Sequence, residues 1–407
     1  MLRFIVAHPR ILSFGLLTTL FSSFGQTFLI SIFVPQLLES FGLSTAAFGT
    51  LYAAATLTSA CCLPFFGRLI DRLPLARFSL VAGLGLGGSC LLMASATHVA
   101  VFFVALIGLR LTGQGLLSLT ASTTMARVFP QGRGKALSVS ALGYPLGEGL
   151  LPLAVVLMIH AFGWRTSWMI LGLVILLVFL PATQSLLQRN STLGETTGGR
   201  TAAGFRPPAL LRDPLFLLVL PANLFLPLVL TALFLYQIPL AESRSWQAST
   251  MASAFVGFAV ARMTVSLLIG PLIDRWSALR ILPALLVPAI CGLSALLAHD
   301  APWIAFVYLI FAGLSQGMGG PLMTAVWAEM YGVESLGATK GTVATFGVLA
   351  TALGPIILGI ALDAGIGFDS MIGLAIAAAV VVLLMAWIGS RRVLASCSRE
   401  SPRIALD

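Results

Sequence analysis

The chain reads as an all-α integral membrane protein: twelve transmembrane helices in two six-helix pseudo-repeat halves. Three observations predict this. Hydrophobic residues make up 58% of the 407 and charged residues 9%, against roughly 25% charged in soluble domains, so a soluble fold has no way to hide the apolar surface. Apolar stretches long enough to cross about 30 Å of hydrocarbon alternate with short basic connections. An eleven-residue segment is also written twice, 203 positions apart. Gly67-Arg68-Leu69-Ile70-Asp71-Arg72-Leu73-Pro74-Leu75-Ala76-Arg77 returns as Gly270-Pro271-Leu272-Ile273-Asp274-Arg275-Trp276-Ser277-Ala278-Leu279-Arg280. Each copy follows one apolar stretch and precedes another, and the same charges at the same spacing half a chain apart mark an internal repeat.

The first span is expected over 11–38, too long for a signal-peptide core and without a small-x-small cleavage pattern. Further spans follow at 45–66, 78–94, 99–125, 136–160 and 166–187. A looser stretch rich in Ser, Thr, Gly and Arg reads as a linker loop. Six more spans lie at 214–240, 248–269, 281–298, 303–328, 341–362 and 371–390. The chain thus divides into a first half at 1–187, a cytosolic linker at 188–213, a second half at 214–390 and a cytosolic tail at 391–407. Forty Gly and twenty-one Pro suit helices in lipid, where small residues allow close packing and neighbours re-satisfy broken backbone bonds.

Lys and Arg set the orientation. With both termini cytosolic, nineteen of the twenty-three basic residues fall on the cytosolic side. Only Arg165 and Arg244 fall outside, while Arg110 and Arg262 lie within spans. The net charge of +9 is therefore a topological signal, and no nucleic-acid partner is expected. The sequon Asn190-Ser191-Thr192 falls in the cytosolic linker and is expected to be unmodified. Cys61, Cys62, Cys90, Cys291 and Cys397 show no metal-ligand spacing and read as reduced packing residues. His8, His98, His160 and His299 stand at span ends. A phosphate-binding loop with a Walker lysine, a metal cluster and a nucleophile–base constellation are all missing from the pattern. No cofactor, no metal and no enzymatic activity are expected.

Twelve spans in two repeats, with the duplicated G-x-L-I-D-R segment after the second span of each half, resemble the major facilitator superfamily of secondary transporters over the whole chain. The resemblance implies that Gly67, Asp71, Arg72, Gly270, Asp274 and Arg275 belong to a latch that holds the cytosolic side shut. Arg110-Leu111-Thr112-Gly113-Gln114-Gly115 is similar to the family's R-x-x-x-Q-G, whose Arg lies in the membrane near the coupling site. Proton antiporters of the family carry G-x-x-x-G-P in the fifth helix. Here Gly143-Tyr144-Pro145-Leu146-Gly147-Glu148 keeps both glycines and puts Glu148 in the proline's place. Leu353-Gly354-Pro355 keeps the pattern in the eleventh span. A shorter local similarity, Arg133-Gly134-Lys135-Ala136 with Gly143 to Gly147, runs to bacterial monocarboxylate and oxalate/formate porters.

Three ionisable residues lie at depth: Arg110, Glu148 and Arg262. Arg110 is seventeen residues from Arg127, Glu148 fourteen from Gly134 and Arg262 twelve from Asp274. At about 1.5 Å per residue these counts become roughly 25, 21 and 18 Å. A charge at the bilayer centre costs at least ~2.5–3.5 kcal/mol, so each needs a partner or a wet cavity. Glu148 has three open assignments: a structural pair with Arg110, a gating pair with Arg262 across the halves, or a proton carrier. Arg262, with no acid at depth in its own half, is the first candidate to bind a carboxylate or phosphate through bidentate bonds, with Arg110 as a second. The bland reading of Arg262 is a snorkelling side chain.

In the superfamily, helices one, four, seven and ten line the cavity, which makes Gln26, Gln114, Asn223 and Gln316 candidate contacts; the bland alternative is interhelical glue. Tyr52, Tyr144 and Trp327 are either ligand-stacking or core residues. Glu329 and Glu334 bracket a helix end and serve topology or the latch. The expected activity is secondary transport of a small, monocarboxylate-like organic anion by alternating access, coupled to protons, in a monomeric multi-pass protein of a bacterial inner membrane. The partners are the anion, protons and the lipid bilayer. Competing readings are a proton-driven efflux antiporter for drugs or metabolites and a non-transporting sensor or assembly factor.

Overall fold

The computed structural model describes residues 2–129, 132–188, 207–332 and 334–400. The sequon, Arg189, Arg200, Arg206, Arg403 and most of the linker expected at 188–213 lie outside these residues. Every regular element described is helical. Ten stretches are long and apolar enough to cross a membrane, and a pair bent by 48°, Pro9–Gly25 with Thr27–Phe41, makes an eleventh. One of the ten, Arg133–Leu187, has 55 residues, about 80 Å of helix and far more than one crossing needs. It divides at Gly163, where the backbone leaves the helix at φ 78° and ψ 164°. The described residues therefore supply twelve spans.

Span 1 is the bent pair, and spans 2, 3 and 4 are Thr45–Gly67, Leu75–Ser95 and Val99–Val128. Spans 5 and 6 are the two parts of Arg133–Leu187. Span 7 is Pro214–Leu235, continued by Gln237–Ser243. Spans 8 to 12 are Ala248–Trp276, Ala278–Ala298, Ile304–Tyr331, Leu336–Asp363 and Phe368–Glu400. The ends facing the basic connections run longer than the hydrophobic pattern predicts, span 8 to Trp276 instead of 269 and span 11 from Leu336 instead of 341. Charged side chains end the apolar pattern there, but long stems let Lys and Arg ride on a helix that continues past it. The duplicated segment is accordingly helical over most of its length. In the second copy only Ser277 stands between spans 8 and 9.

The chain forms two compact units, Met1–Thr201 with Phe234–Ser253, and Ala202–Leu233 with Ala254–Asp407. Residues 234–253 thus group with the first six spans, although the sequence assigns them to the second half. Side-chain bonds account for this. Gln237 Nε2 donates to the Phe28 carbonyl at 3.0 Å and to Ser31 Oγ at 2.6 Å, and the Tyr236 hydroxyl donates to the Thr45 carbonyl at 2.8 Å.

Small residues bring spans together inside each unit. In the first, a Cβ on Gly143 would strike Thr19 and the backbone of Leu16, and one on Gly147 would strike the Ser23 hydroxyl, so span 5 lies directly on span 1. In the second, Gly313 and Gly317 of span 10 rest on the backbones of Phe258 and Arg262 in span 8. Gly354 of span 11 rests on the Leu228 carbonyl of span 7.

Candidate functional site

Span 1 is broken where it meets span 4. Ser23–Gly25 form a tight 3-10 turn, Gln26 is extended at φ −84° and ψ 153°, and the helix resumes at Thr27. A Cβ on Gly25 would strike the Leu109 carbonyl and lie 2.7 Å from the Gln114 nitrogen, so the two backbones touch. Span 4 widens into π-helix over Leu109–Leu117, a geometry found mostly as single turns and often at functional sites. Arg110 and Gln114 both lie in the widened stretch.

A helix break leaves carbonyls without their i+4 donors, and Arg110 takes one of them. Its Nη1 donates to the Gly25 carbonyl at 3.2 Å and its Nε to Thr56 Oγ1 at 3.1 Å. The guanidinium carbon stands 4.9 Å from the centre of the Tyr52 ring, and the Tyr52 hydroxyl lies 2.6 Å from Thr27 Oγ1. Arg110 is 3% exposed. Its cation is held by dipoles and an aromatic face, and Glu148, one of the pairings left open by the sequence, is not among its contacts. Half-buried Gln26 and Gln114 flank this junction, so Arg110, Gln26 and Gln114 are brought together in the first unit. Tyr52 and Thr56 are the partners the sequence did not assign; their helical i, i+4 spacing on span 2 was the available signal. Glu148 is 8% exposed and follows the contact of Gly147 with Ser23, which places it at the level of the span 1 break.

The second unit holds a cavity of about 330 Å³ whose lining includes Asn223 and Gln316, together with Thr324, Trp327 and Lys340. Lys340 Nζ donates to Thr324 Oγ1 at 3.2 Å. No Asp or Glu lines this cavity. Arg262 is half-buried and does not line it, but its backbone rests on Gly317, the residue after Gln316. Lys340 was absent from the expected site because the apolar pattern starts span 11 one residue after it. A second cavity in this unit, about 440 Å³, is lined without any polar side chain, by residues such as Leu224, Phe225, Leu228, Ile357 and Met371.

The repeated segments are tied down differently. In the first copy Gly67 ends span 2, Asp71 and Arg72 lie in the short helix Leu69–Arg72, and the Ile70 carbonyl accepts a bond from Arg127 Nη1 at 3.2 Å. In the second, Gly270, Asp274 and Arg275 lie within span 8, and Arg275 stands 6.0 Å from the centre of the Trp276 ring. The chain then turns at Ser277, with φ 71° and ψ 142°. The Glu329 carboxylate, at the end of span 10, accepts bonds from the Ser277 hydroxyl at 2.7 Å and from the N–H groups of Ala278 at 2.7 Å and Leu279 at 3.1 Å. It thus caps the first turn after the break with a negative charge at a helix N-terminus. Asp213 does the same for span 7, accepting from the Leu215 N–H at 2.8 Å, and its other oxygen accepts the Tyr331 hydroxyl at 2.6 Å. Among the described residues no group of three His, Cys, Asp or Glu is placed to hold a metal ion.

Twelve apolar helices in two units, each with polar groups gathered inside it, define a multi-pass membrane protein of the secondary-transporter type. The family model of the Major Facilitator Superfamily matches residues 15–239 and again residues 229–404, and the chain belongs to that superfamily. No curated protein sequence matches it. Among solved structures it is similar to a bacterial homologue of the human lysosomal transporter Spinster. The inward-facing, unoccupied form has 15% identity and a TM-score of 0.70 over 95% of this chain and 97% of that one. The inward-facing, occupied form has 16% identity and a TM-score of 0.67 over 95% and 94%. A mutant of the nucleoside transporter NupG has 13% identity and a TM-score of 0.69 over 93% and 98%. At these identities the likeness is one of fold.

Proposed function

We propose that this superfamily transporter moves a small organic anion by alternating access and couples that movement to protons. The observation that carries the reading is the 330 Å³ cavity of the second unit, which combines two amides, a hydroxyl and a lysine and has no acid in its lining. A site of that kind favours negative charge, since an anion finds donors and a cation there without a competing carboxylate. Arg262, held beside Gly317 at the depth of Gln316, is the anion's principal guanidinium. Arg110, with Gln26 and Gln114 beside it in the first unit, is the second candidate guanidinium. Glu148 is the coupling or gating group, because a buried carboxyl can exchange a proton as its surroundings change.

The duplicated residues Gly67, Asp71, Arg72, Gly270, Asp274 and Arg275 serve the cytosolic latch in this reading. The protein works as a monomer in a bacterial inner membrane with both termini cytosolic, an orientation supported by the concentration of Lys and Arg at one set of span ends. Proton-driven export of lipophilic cations would call for an acid facing a roomy apolar cavity, and the apolar cavity has no ionisable lining. The test is uptake of radiolabelled small carboxylates into proteoliposomes. Arg262→Ala is expected to abolish uptake in a protein that still folds, and unchanged uptake would overturn the substrate assignment. Glu148→Gln is expected to remove the response to an imposed proton gradient, and a normal response would overturn the coupling role.

A further inference from the structure

The lining of the polar cavity has an internal order. On span 10 it is Gln316, Gly319, Gly320, Met323, Thr324 and Trp327, a stripe at i, i+3, i+4, i+7, i+8 and i+11 on one helix face. The Asp213–Tyr331 bond ties the start of span 7 to the end of span 10, so depth can be counted along both helices from one level. Thr324 is seven residues from Tyr331, Asn223 ten from Asp213 and Gln316 fifteen from Tyr331. At about 1.5 Å per residue they lie roughly 10, 15 and 22 Å from that level. Lys340, bonded to Thr324, sits at the shallow end. The cavity is thus a ladder about 12 Å long, with the ammonium and a hydroxyl at one end and two amides beyond it.

We infer that this ladder is the binding site for a hydroxylated organic anion, a polyhydroxy carboxylate or a sugar phosphate, with Lys340 supplying a second positive charge besides that of Arg262. The inference rests on the anion reading above and narrows it. The lysine is a point charge suited to a carboxylate or phosphate. Each amide both donates and accepts, the pattern that a row of hydroxyl groups matches. A short monocarboxylate reaches one end of the ladder and leaves the amides at the other end unmatched. Gly319 and Gly320 keep the middle open, since a Cβ added at either meets nothing within 4 Å. The volume of about 330 Å³ falls at the lower end of the ~300–1,000 Å³ usual for ligand pockets.

The experiment is calorimetric titration of the purified full-length protein in detergent with gluconate, glucose 6-phosphate, propanoate and neutral sorbitol. Gluconate or glucose 6-phosphate is expected to bind at least about tenfold more tightly than propanoate or sorbitol. Which of the two binds tells the carboxylate from the phosphate. Lys340→Gln is expected to weaken that binding by about tenfold or more, and Lys340→Arg to retain most of it. Gly320→Leu fills the open middle and is expected to remove binding while the unfolding profile stays that of the wild type. The ladder is overturned if neither hydroxylated anion outbinds propanoate, or if Lys340→Gln leaves the affinity unchanged. Propanoate binding that needs Arg262 and ignores Lys340 would sink the ladder and leave the anion reading standing. Wild-type protein that binds none of the anions would sink both.

Discussion

Arg110 offers the sharpest test of how the first unit carries a charge. Arg110→Met keeps the apolar length of the side chain and removes its bonds to Thr56 and Gly25 and its contact with the face of Tyr52. Hydrogen bonds made by a charged group contribute ~1.5–3 kcal/mol each, and a desolvated cation–π contact about 2 kcal/mol. Relief from burying a cation returns ~2.5–3.5 kcal/mol, so the expected net loss is about 2–5 kcal/mol. The aromatic share can be isolated. Tyr52→Leu removes the ring, and in an Arg110→Met background the cation is already gone. A double-mutant cycle on unfolding in mixed micelles is therefore expected to give a coupling energy of about 2 kcal/mol. Additivity to within ~0.5 kcal/mol would refute the contact between the guanidinium and the ring.

Two other structural predictions use the same unfolding assay. Gly147→Ala drives a methyl group into the Ser23 hydroxyl and is expected to cost ~1–3 kcal/mol as overpacking. Ser23→Gly removes the obstacle, and because that hydroxyl has no hydrogen-bond partner among the described residues, it is expected to restore most of the loss; no rescue would mean that spans 1 and 5 do not meet there. Glu329→Ala removes the cap on span 9 and is expected to cost ~0.5–2 kcal/mol, while Glu329→Gln keeps one of the two acceptor oxygens, loses the other with the charge term of ~0.3–1 kcal/mol, and is expected to cost less than the alanine variant. Equal losses in the two variants would contradict the capping assignment.

The twelve spans were legible because each is a long apolar run, and the repeat because its charges recur in register. Their ends were less so. Hydrophobic pattern reports where lipid begins, whereas the helix stops where a residue such as Ser277 turns the backbone or a carboxylate such as Glu329 caps it. That difference hid Lys340, which a pattern starting at 341 puts outside the membrane and which the helix beginning at Leu336 puts on the cavity wall. Counting along helices did place Arg110 and Glu148 at depth, and both are buried. Of the partners of Arg110, the Gly25 carbonyl was out of reach, because it depends on a break inside an apolar run, whereas Tyr52 and Thr56 left a signal in their i, i+4 spacing on span 2. Helix number and side-chain polarity make Asn223 and Gln316 candidate contacts, and the two line one cavity between spans 7 and 10, whose ends the Tyr331–Asp213 bond ties together.

Counterflow reads transport of a small organic anion by alternating access without interference from binding alone. Proteoliposomes holding the purified protein are loaded with a high concentration of an unlabelled anion that the protein binds, and the entry of the same anion in labelled form is followed without an imposed gradient. Transient accumulation of label is expected, requiring the internal anion and disappearing in Arg262→Ala. Vesicles that accumulate no label with any bound anion, or that exchange only lipophilic cations, would contradict it.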